Sequence, residues 1–338
     1  MKIAENASLK SLNTFGIEAK ARYLARFSSA GEISAILSDE RVKGLPRMVL
    51  GGGSNVLFTQ DFPGLILKNE IKGIELVGED EDHFFVKSGA GENWHEFVLY
   101  TLRQGWAGLE NLSLIPGNVG ASPMQNIGAY GVEVKDRFES LEAFETETGT
   151  VKTFDADACE FGYRESVFKR AAKDKYIILS VTFKLFKEPK LDTRYGAITD
   201  ELKALGVTDP DIEDVSRAVI NIRNSKLPNP AELGNAGSFF KNPVIPAADF
   251  EKLKEAHPDV PNYPAGEGFV KLAAGWLIEQ AGHKGKRTGH CGMHARQALV
   301  LVNYGGATGE EIYALSTAVK KDVFEKFGVE LEREVNIV

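Results

Sequence analysis

Along the chain the spacing of apolar positions shifts repeatedly between the two-residue repeat of strands and the longer repeat of helices. Ala21 to Phe27 is an apolar run of strand length, Ser29 can cap a helix reaching Ser38, and Arg47 to Leu50 leads into three glycines. This reads as a small βαβ unit. From Gly64 to Ser88, β-rich runs (GLILKNEIKGIELV, HFFVKSGAG) are broken by glycine and by an acidic GEDED turn, and Asn93 then caps the amphipathic WHEFVLYTLRQ. Leu141 to Phe154 reads as a hairpin turning at Thr148 and Gly149, and Tyr176 to Phe186 as a further strand. Asp211 to Ser225 predicts a helix with Val215, Ala218, Val219 and Ile222 on one face, and Pro228 and Pro230 stop it. Near the end, Thr308 and Glu311 make a capping box before Ile312, Leu315, Val319 and Val323, and the chain closes on a strand, LEREVNIV.

One stretch obeys neither period. GLENLSLIPGNVGASPMQNIGAYGVE is rich in glycine and holds two prolines, yet interleaves Leu112, Leu114, Ile115, Val119, Met124, Ile127 and Tyr130. Those side chains need burial, so the segment reads as an ordered loop wrapped around a ligand rather than as disorder.

A chain of 338 residues exceeds the size at which single cores stop growing, so two or three α+β domains are expected, with one boundary near Leu227. Its formal charge of -8 disfavours a nucleic-acid or anionic-membrane partner, because such partners reward clustered positive charge. No export signal follows Lys2, and no run approaches membrane-spanning length. The two cysteines, Cys159 and Cys291, are far apart and fit a reducing compartment better than a disulfide scaffold.

The chemistry concentrates in glycine-rich loops. Gly51, Gly52, Gly53, Ser54 and Asn55 follow the apolar RMVL, where bare backbone amides can approach a phosphate. The run matches neither GxxxxGK[ST] nor GxGxxG, so a P-loop and a dinucleotide-binding Rossmann turn are both disfavoured, and a plain tight turn stands beside the phosphate reading. PGNVGASPMQNIGAYG adds Gln125 and Asn126, which offer donors and acceptors together. Two such loops suggest one large polar ligand. HCGMH (His290, Cys291, His294) lacks a second ligand cluster and is not read as a metal site, and the cationic HKGKRTGH run reads first as a solvated polar loop, with steering of anionic substrates as the open alternative.

Taken together, GGGSN, IPGNVGASPMQNIGAYGVE, FGYRESVFK and GNAGSFFKNPVIP occur in the order seen in the MurB family of flavin-dependent reductases, and the chain resembles that family from about Leu12 to its C-terminus. NTFGI, RNSKLP, QALVLVN and LEREV add weaker matches, and DTRYGAI resembles the tyrosine-bearing loop of the family's longer form. The resemblance implies an FAD-binding module of the vanillyl-alcohol-oxidase type, with subdomains at 1–70 and 71–226. A substrate-binding domain would occupy 227–329, and the segment 330–338 would return to the first subdomain.

The same resemblance implies a cytoplasmic, monomeric enzyme of peptidoglycan precursor synthesis. It would hold FAD noncovalently and use NADPH to reduce UDP-N-acetylglucosamine enolpyruvate to UDP-N-acetylmuramate, with NADPH and substrate taking one site in turn. Ser238 is implied as proton donor, Arg164 as partner of the substrate carboxylate, and Glu334 as an acid assisting from the other side. For FAD the implied contacts are Gly51, Gly52, Gly53, Ser54, Asn55, Pro116, Gly117, Gly120, Ala121, Gln125, Asn126, Ile127, Gly128, Ile178 and Arg223. For the UDP-sugar they are Tyr130, Tyr195, Lys226, Asn242 and Gln297. The chemistry agrees, since a planar guanidinium suits a carboxylate and a hydroxyl can protonate a carbanion-like centre. Two other readings compete: an FAD oxidoreductase of the same fold acting on an alcohol or sugar through oxygen, which leaves GSFF and LEREV unexplained, and a noncatalytic flavin or nucleotide-sugar sensor, which would lack an intact catalytic set.

Overall fold

The computed structural model describes residues 2–338 and resolves the chain into two compact units. The first holds 2–7, 21–52 and 62–225; the second gathers 8–20, 53–61 and 226–338.

In the first unit, Lys20–Phe27 and Arg47–Leu50 both run parallel to Phe62–Asn69, which lies between them in a four-stranded sheet edged by Ile3–Ser8. Ala30–Leu37 is the crossing helix, and its expected cap is present: Ser29 accepts from the Glu32 N–H. A second sheet is wholly antiparallel, in the order Val151–Asp155, Phe138–Glu145, Tyr176–Phe186, His83–Gly89, Ile74–Glu79. Phe27, Ile33, Ile36, Leu65, Phe144 and Ile177 form one apolar cluster from both sheets, and the Asn69 amide donates to the Ile178 carbonyl at 2.9 Å. A larger cluster under the antiparallel sheet buries Trp94, Phe97 and Phe183, so Trp94–Arg103 docks through the face its sequence shows. Ile212–Lys226 buries Val215, Ala218, Val219 and Ile222 as its periodicity requires.

The second unit is built on a four-stranded antiparallel sheet, Gly234–Ser238, Val300–Asn303, Cys291–Met293, Arg287–Thr288, and a three-stranded one, Val244–Pro246, Phe269–Leu272, Asn262–Pro264. Gly309–Phe327 covers the core with Ile312, Leu315, Val319 and Val323, and both halves of the Thr308–Glu311 capping box are made. Phe15, Ile17 and Leu57 belong to the same core. The closing segment is less regular than its alternation suggests. Only Asn336–Ile337 is strand, parallel to Val56–Leu57, while a single bridge joins Arg333 to Phe240. That bridge is made by two bonds, the Lys241 N–H to the Glu332 carbonyl and the Glu334 N–H to the Phe239 carbonyl, and the pairing with this segment goes no further.

Candidate active site

In the first unit the two glycine loops meet. A Cβ placed on Gly52 would lie 2.8 Å from the Gly117 Cα and 2.9 Å from the Asn118 Oδ1, and one on Gly51 would lie 3.5 Å from the Asn118 Cβ. Any side chain at Gly52 would therefore push the loops apart. Gly120 is similarly confined, its Cβ position 2.5 Å from that of Ala90. The Asn118 amide donates to the Gly91 carbonyl at 2.8 Å, fixing the second loop to the antiparallel layer. Among the described residues the N–H groups of Gly52, Gly117 and Asn118 have no acceptor in the protein. A cradle of bare backbone with unpaired N–H donors is what a pyrophosphate needs, so the residues fit the phosphate end of FAD.

The remaining loop residues shape the cradle. Asn126, fully buried, donates to Glu133 and to the Gly162 carbonyl, each at 3.0 Å, and accepts from the Lys135 N–H at 3.0 Å. Its amide thus binds protein on every side and sets the course of the loop. Pro116 and Ala121 are exposed on its rim, with Gln125, Ile127 and Gly128 half-buried. Ile178 points into the core from the long strand.

Backbone strain gathers here. Leu114, Asn126, Tyr130 and Arg164 all take left-handed conformations, with φ of 59°, 44°, 52° and 55°. Such geometry costs about 1 kcal/mol or more per side-chain-bearing residue and persists where the surroundings over-determine it. For Arg164 the surroundings include the Gly128 carbonyl, which its Nη2 reaches at 2.7 Å, and the Tyr163 ring 5.4 Å beneath the guanidinium.

Tyr130 meets Tyr195 edge to face with ring centroids 5.2 Å apart. Burial raises the Tyr130 phenol above its ordinary range, and the Arg223 charge beside it acts in the opposite direction. Arg223 is itself pulled down by burial, and its Nε donates to the Leu114 carbonyl at 3.2 Å. Asn111 holds the two tyrosine segments together, its Nδ2 donating to the Tyr130 carbonyl at 3.1 Å and to the Asp192 carbonyl at 2.8 Å. Sequence reasoning passed over Asn111 and Asn118. Each is a polar residue inside an otherwise apolar or glycine-rich loop, a signal that could have marked them.

In the second unit the segments that carry Ser238 and Glu334 pair through their backbones. The Glu334 N–H donates to the carbonyl of Phe239, the residue after Ser238, at 2.8 Å. Asn55 joins them, its Nδ2 donating to the Glu334 carbonyl at 3.2 Å. Asn242 and Gln297 flank one short segment: Asn242 Oδ1 accepts from the Ala274 N–H at 3.0 Å, and Gln297 Oε1 lies 3.3 Å from a Cβ position on Gly275. Gly53 is buried with a φ of 65°, and its Cβ position falls on the Leu12 carbonyl, while Ser54 is half-buried. Lys226 is exposed. Arg164 belongs to one unit, Ser238 and Glu334 to the other.

The cationic run near His283 is absorbed locally. His283 Nε2 lies 2.8 Å from Asp322, Lys284 pairs with Glu279, and Arg287 covers the Tyr304 ring at 4.5 Å. Among the described residues no three His, Cys, Asp or Glu side chains gather as a metal site, and no helix is long and apolar enough to cross a membrane.

Comparison with known proteins converges on one family. Residues 229–338 match the model of the UDP-N-acetylenolpyruvoylglucosamine reductase C-terminal domain, and residues 21–155 match an FAD-binding domain. The chain is 52% identical to the UDP-N-acetylenolpyruvoylglucosamine reductase of Flavobacterium johnsoniae, with all of both chains covered. It is 55% identical to that of Burkholderia lata, over 95% of this chain and 93% of the relative. In fold it is similar to the crystal structure of UDP-N-acetylenolpyruvylglucosamine reductase (MurB) from Thermus caldophilus, with a TM-score of 0.67, 23% identity, and coverage of 99% of this chain and 98% of that one. The α+β architecture, an FAD-binding module with an appended C-terminal domain, is thus the one the resemblance implied. The chain belongs to the UDP-N-acetylenolpyruvoylglucosamine reductase family.

Proposed function

We propose that the chain reduces UDP-N-acetylglucosamine enolpyruvate to UDP-N-acetylmuramate, the step that makes this precursor for peptidoglycan, with Ser238, Arg164 and Glu334 as its working residues. Bound FAD, recharged by NADPH, supplies the hydride for the terminal carbon of the enolpyruvyl group. Arg164 pairs with the substrate carboxylate, onto which negative charge spreads as the double bond is reduced. Its left-handed backbone and its bond to the Gly128 carbonyl support that role, because both restrict where the guanidinium can go. Ser238 Oγ gives its proton to the carbon next to the carboxylate, and Glu334 assists as an acid. Tyr130, Tyr195, Lys226, Asn242 and Gln297 hold the UDP-sugar.

The observation that supports this reading is the bond between the Glu334 N–H and the Phe239 carbonyl at 2.8 Å, which pairs the backbones of the two distant segments that carry Ser238 and Glu334 in one unit. The FAD contacts are those of the resemblance, with the Gly51–Gly52 and Gly117–Asn118 backbone at the pyrophosphate. The three-part division at residues 70 and 226 belongs to the same reading. So do a monomeric state and a cytoplasmic setting, the latter favoured by the free, buried Cys159 and Cys291.

Ser238→Ala tests it. Reduction of the flavin by NADPH should persist, while transfer to the enolpyruvyl substrate drops by about a hundredfold or more. Equal loss in both half-reactions removes Ser238 from the proton transfer.

A further inference from the structure

We infer that Lys68 supplies the counter-charge for the FAD pyrophosphate at the Gly51–Gly52 turn, an inference that rests on the FAD reading above. Lys68 lies in Phe62–Asn69, paired directly with Leu50, the last residue before the glycines. Its side chain is half-buried and its Nζ donates to the Gly51 carbonyl at 2.5 Å. That bond has a directional consequence. In a planar peptide the N–H points opposite to the carbonyl, so holding the Gly51 carbonyl toward Lys68 turns the Gly52 N–H away from it. This N–H is one of the three in the cradle with no acceptor among the described residues.

The charge itself is only partly compensated. No carboxylate forms an ion pair with Lys68 among the described residues: Glu70, the nearest acid in sequence, is paired with Arg26. Burial pulls the ammonium below its ordinary range, and Arg26 and Lys72 push the same way against Glu70. A half-buried cation that bonds a carbonyl, with the Glu70 carboxylate acting on it but committed to Arg26, is costly unless an anion arrives. The cradle beside it is built of glycine backbone, with the Cβ position of Gly52 already taken by Gly117 and Asn118, so the anion it admits is one that lies against backbone. A pyrophosphate meets both requirements.

The test strips the flavin and titrates it back, with the fluorescence of free FAD as readout. Lys68→Gln keeps a donor for the Gly51 carbonyl but no charge, and should raise the Kd for FAD by about tenfold. The same substitution should leave riboflavin, which has no phosphate, bound as before. Lys68→Arg should stay near the parent, and the salt dependence of FAD binding should be shallower in Lys68→Gln than in the parent. The inference is overturned if Lys68→Gln binds FAD like the parent, if it weakens riboflavin equally, or if only the KM for the UDP-sugar moves. Failure of the parent chain itself to bind FAD would remove the flavin reading as a whole, whereas tight parent binding with an unaffected Lys68→Gln removes only Lys68.

Discussion

The backbone N–H of Leu114 donates to His95 Nδ1 at 3.0 Å, so the imidazole must offer a lone pair to a strained residue at the mouth of the candidate site. The other side of Leu114 is held by Arg223 through its carbonyl. Half-burial is the largest influence lowering the His95 pKa, the Arg223 charge lowers it further, and Glu96 opposes both.

A pH dependence of stability follows. Because the folded value lies below the ordinary 6.5, the unfolded chain takes up a proton as pH falls through about 6.5 while the folded chain does not. Stability contributed here is present above that pH and drains away below it. His294, also lowered by burial, adds in the same direction. His95→Asn retains an acceptor without the titration, so its thermal midpoint should fall less between pH 7 and pH 5.5 than the parent's, by about a degree or two. An equal or steeper fall means that His95 titrates freely.

Gly52→Ala should abolish flavin uptake without unfolding the protein. The added methyl would stand 2.8 Å from the Gly117 Cα, and backbone cannot swing aside as a flexible side chain could. Gly31→Ala, in a helix with open space around it, is the matched control and should bind FAD normally. Flavin absorbance after purification decides, and a yellow Gly52→Ala protein would show that the loops are not a cradle.

Asn111→Leu removes both bonds that tie the Tyr130 segment to the Asp192 segment. Each hydrogen bond lost is worth about 1 kcal/mol, so the KM for the UDP-sugar should rise by about tenfold or more, with a smaller change in kcat. A fall in kcat at constant KM would contradict a positioning role at the tyrosine pair.

Two neighbouring substitutions should differ sharply in thermal stability. Thr308→Ala loses a cap that accepts from the Glu311 N–H at 3.2 Å, a cost of about 1 kcal/mol. Gly309→Ala drives a methyl onto the Phe58 carbonyl, with 1.8 Å between the Cβ position and the oxygen, and should cost about 3 kcal/mol or more. Similar thermal midpoints for the two variants would contradict the close approach at Gly309.

Much of the fold was legible because its signals are local. Ser29, Asn93 and Thr308 cap the helices their sequences mark, and the hairpin turns at Gly149 with a φ of 73°. The glycine loops announced a ligand because an apolar, aperiodic loop has few other uses. What stayed hidden depends on distant partners. Nothing near Lys68 in sequence tells that its ammonium ends on Gly51, and Asn111 reads as one polar residue among leucines until Tyr130 and Asp192 arrive on either side. The closing strand was overread because alternation says nothing about which neighbour supplies the ladder.

The second unit draws its core from three stretches of chain, and this constrains how it can be made. During synthesis Phe15, Ile17 and Leu57 emerge long before Leu277, Val319 and Leu331, with which they share one apolar cluster. When they emerge, more than half of the polypeptide has still to be added before they meet those partners. A gene fragment beginning at residue 226 would lack those three side chains and the Val56–Leu57 pairing partner of the C-terminus, so it would be translated as a module with gaps in its interior.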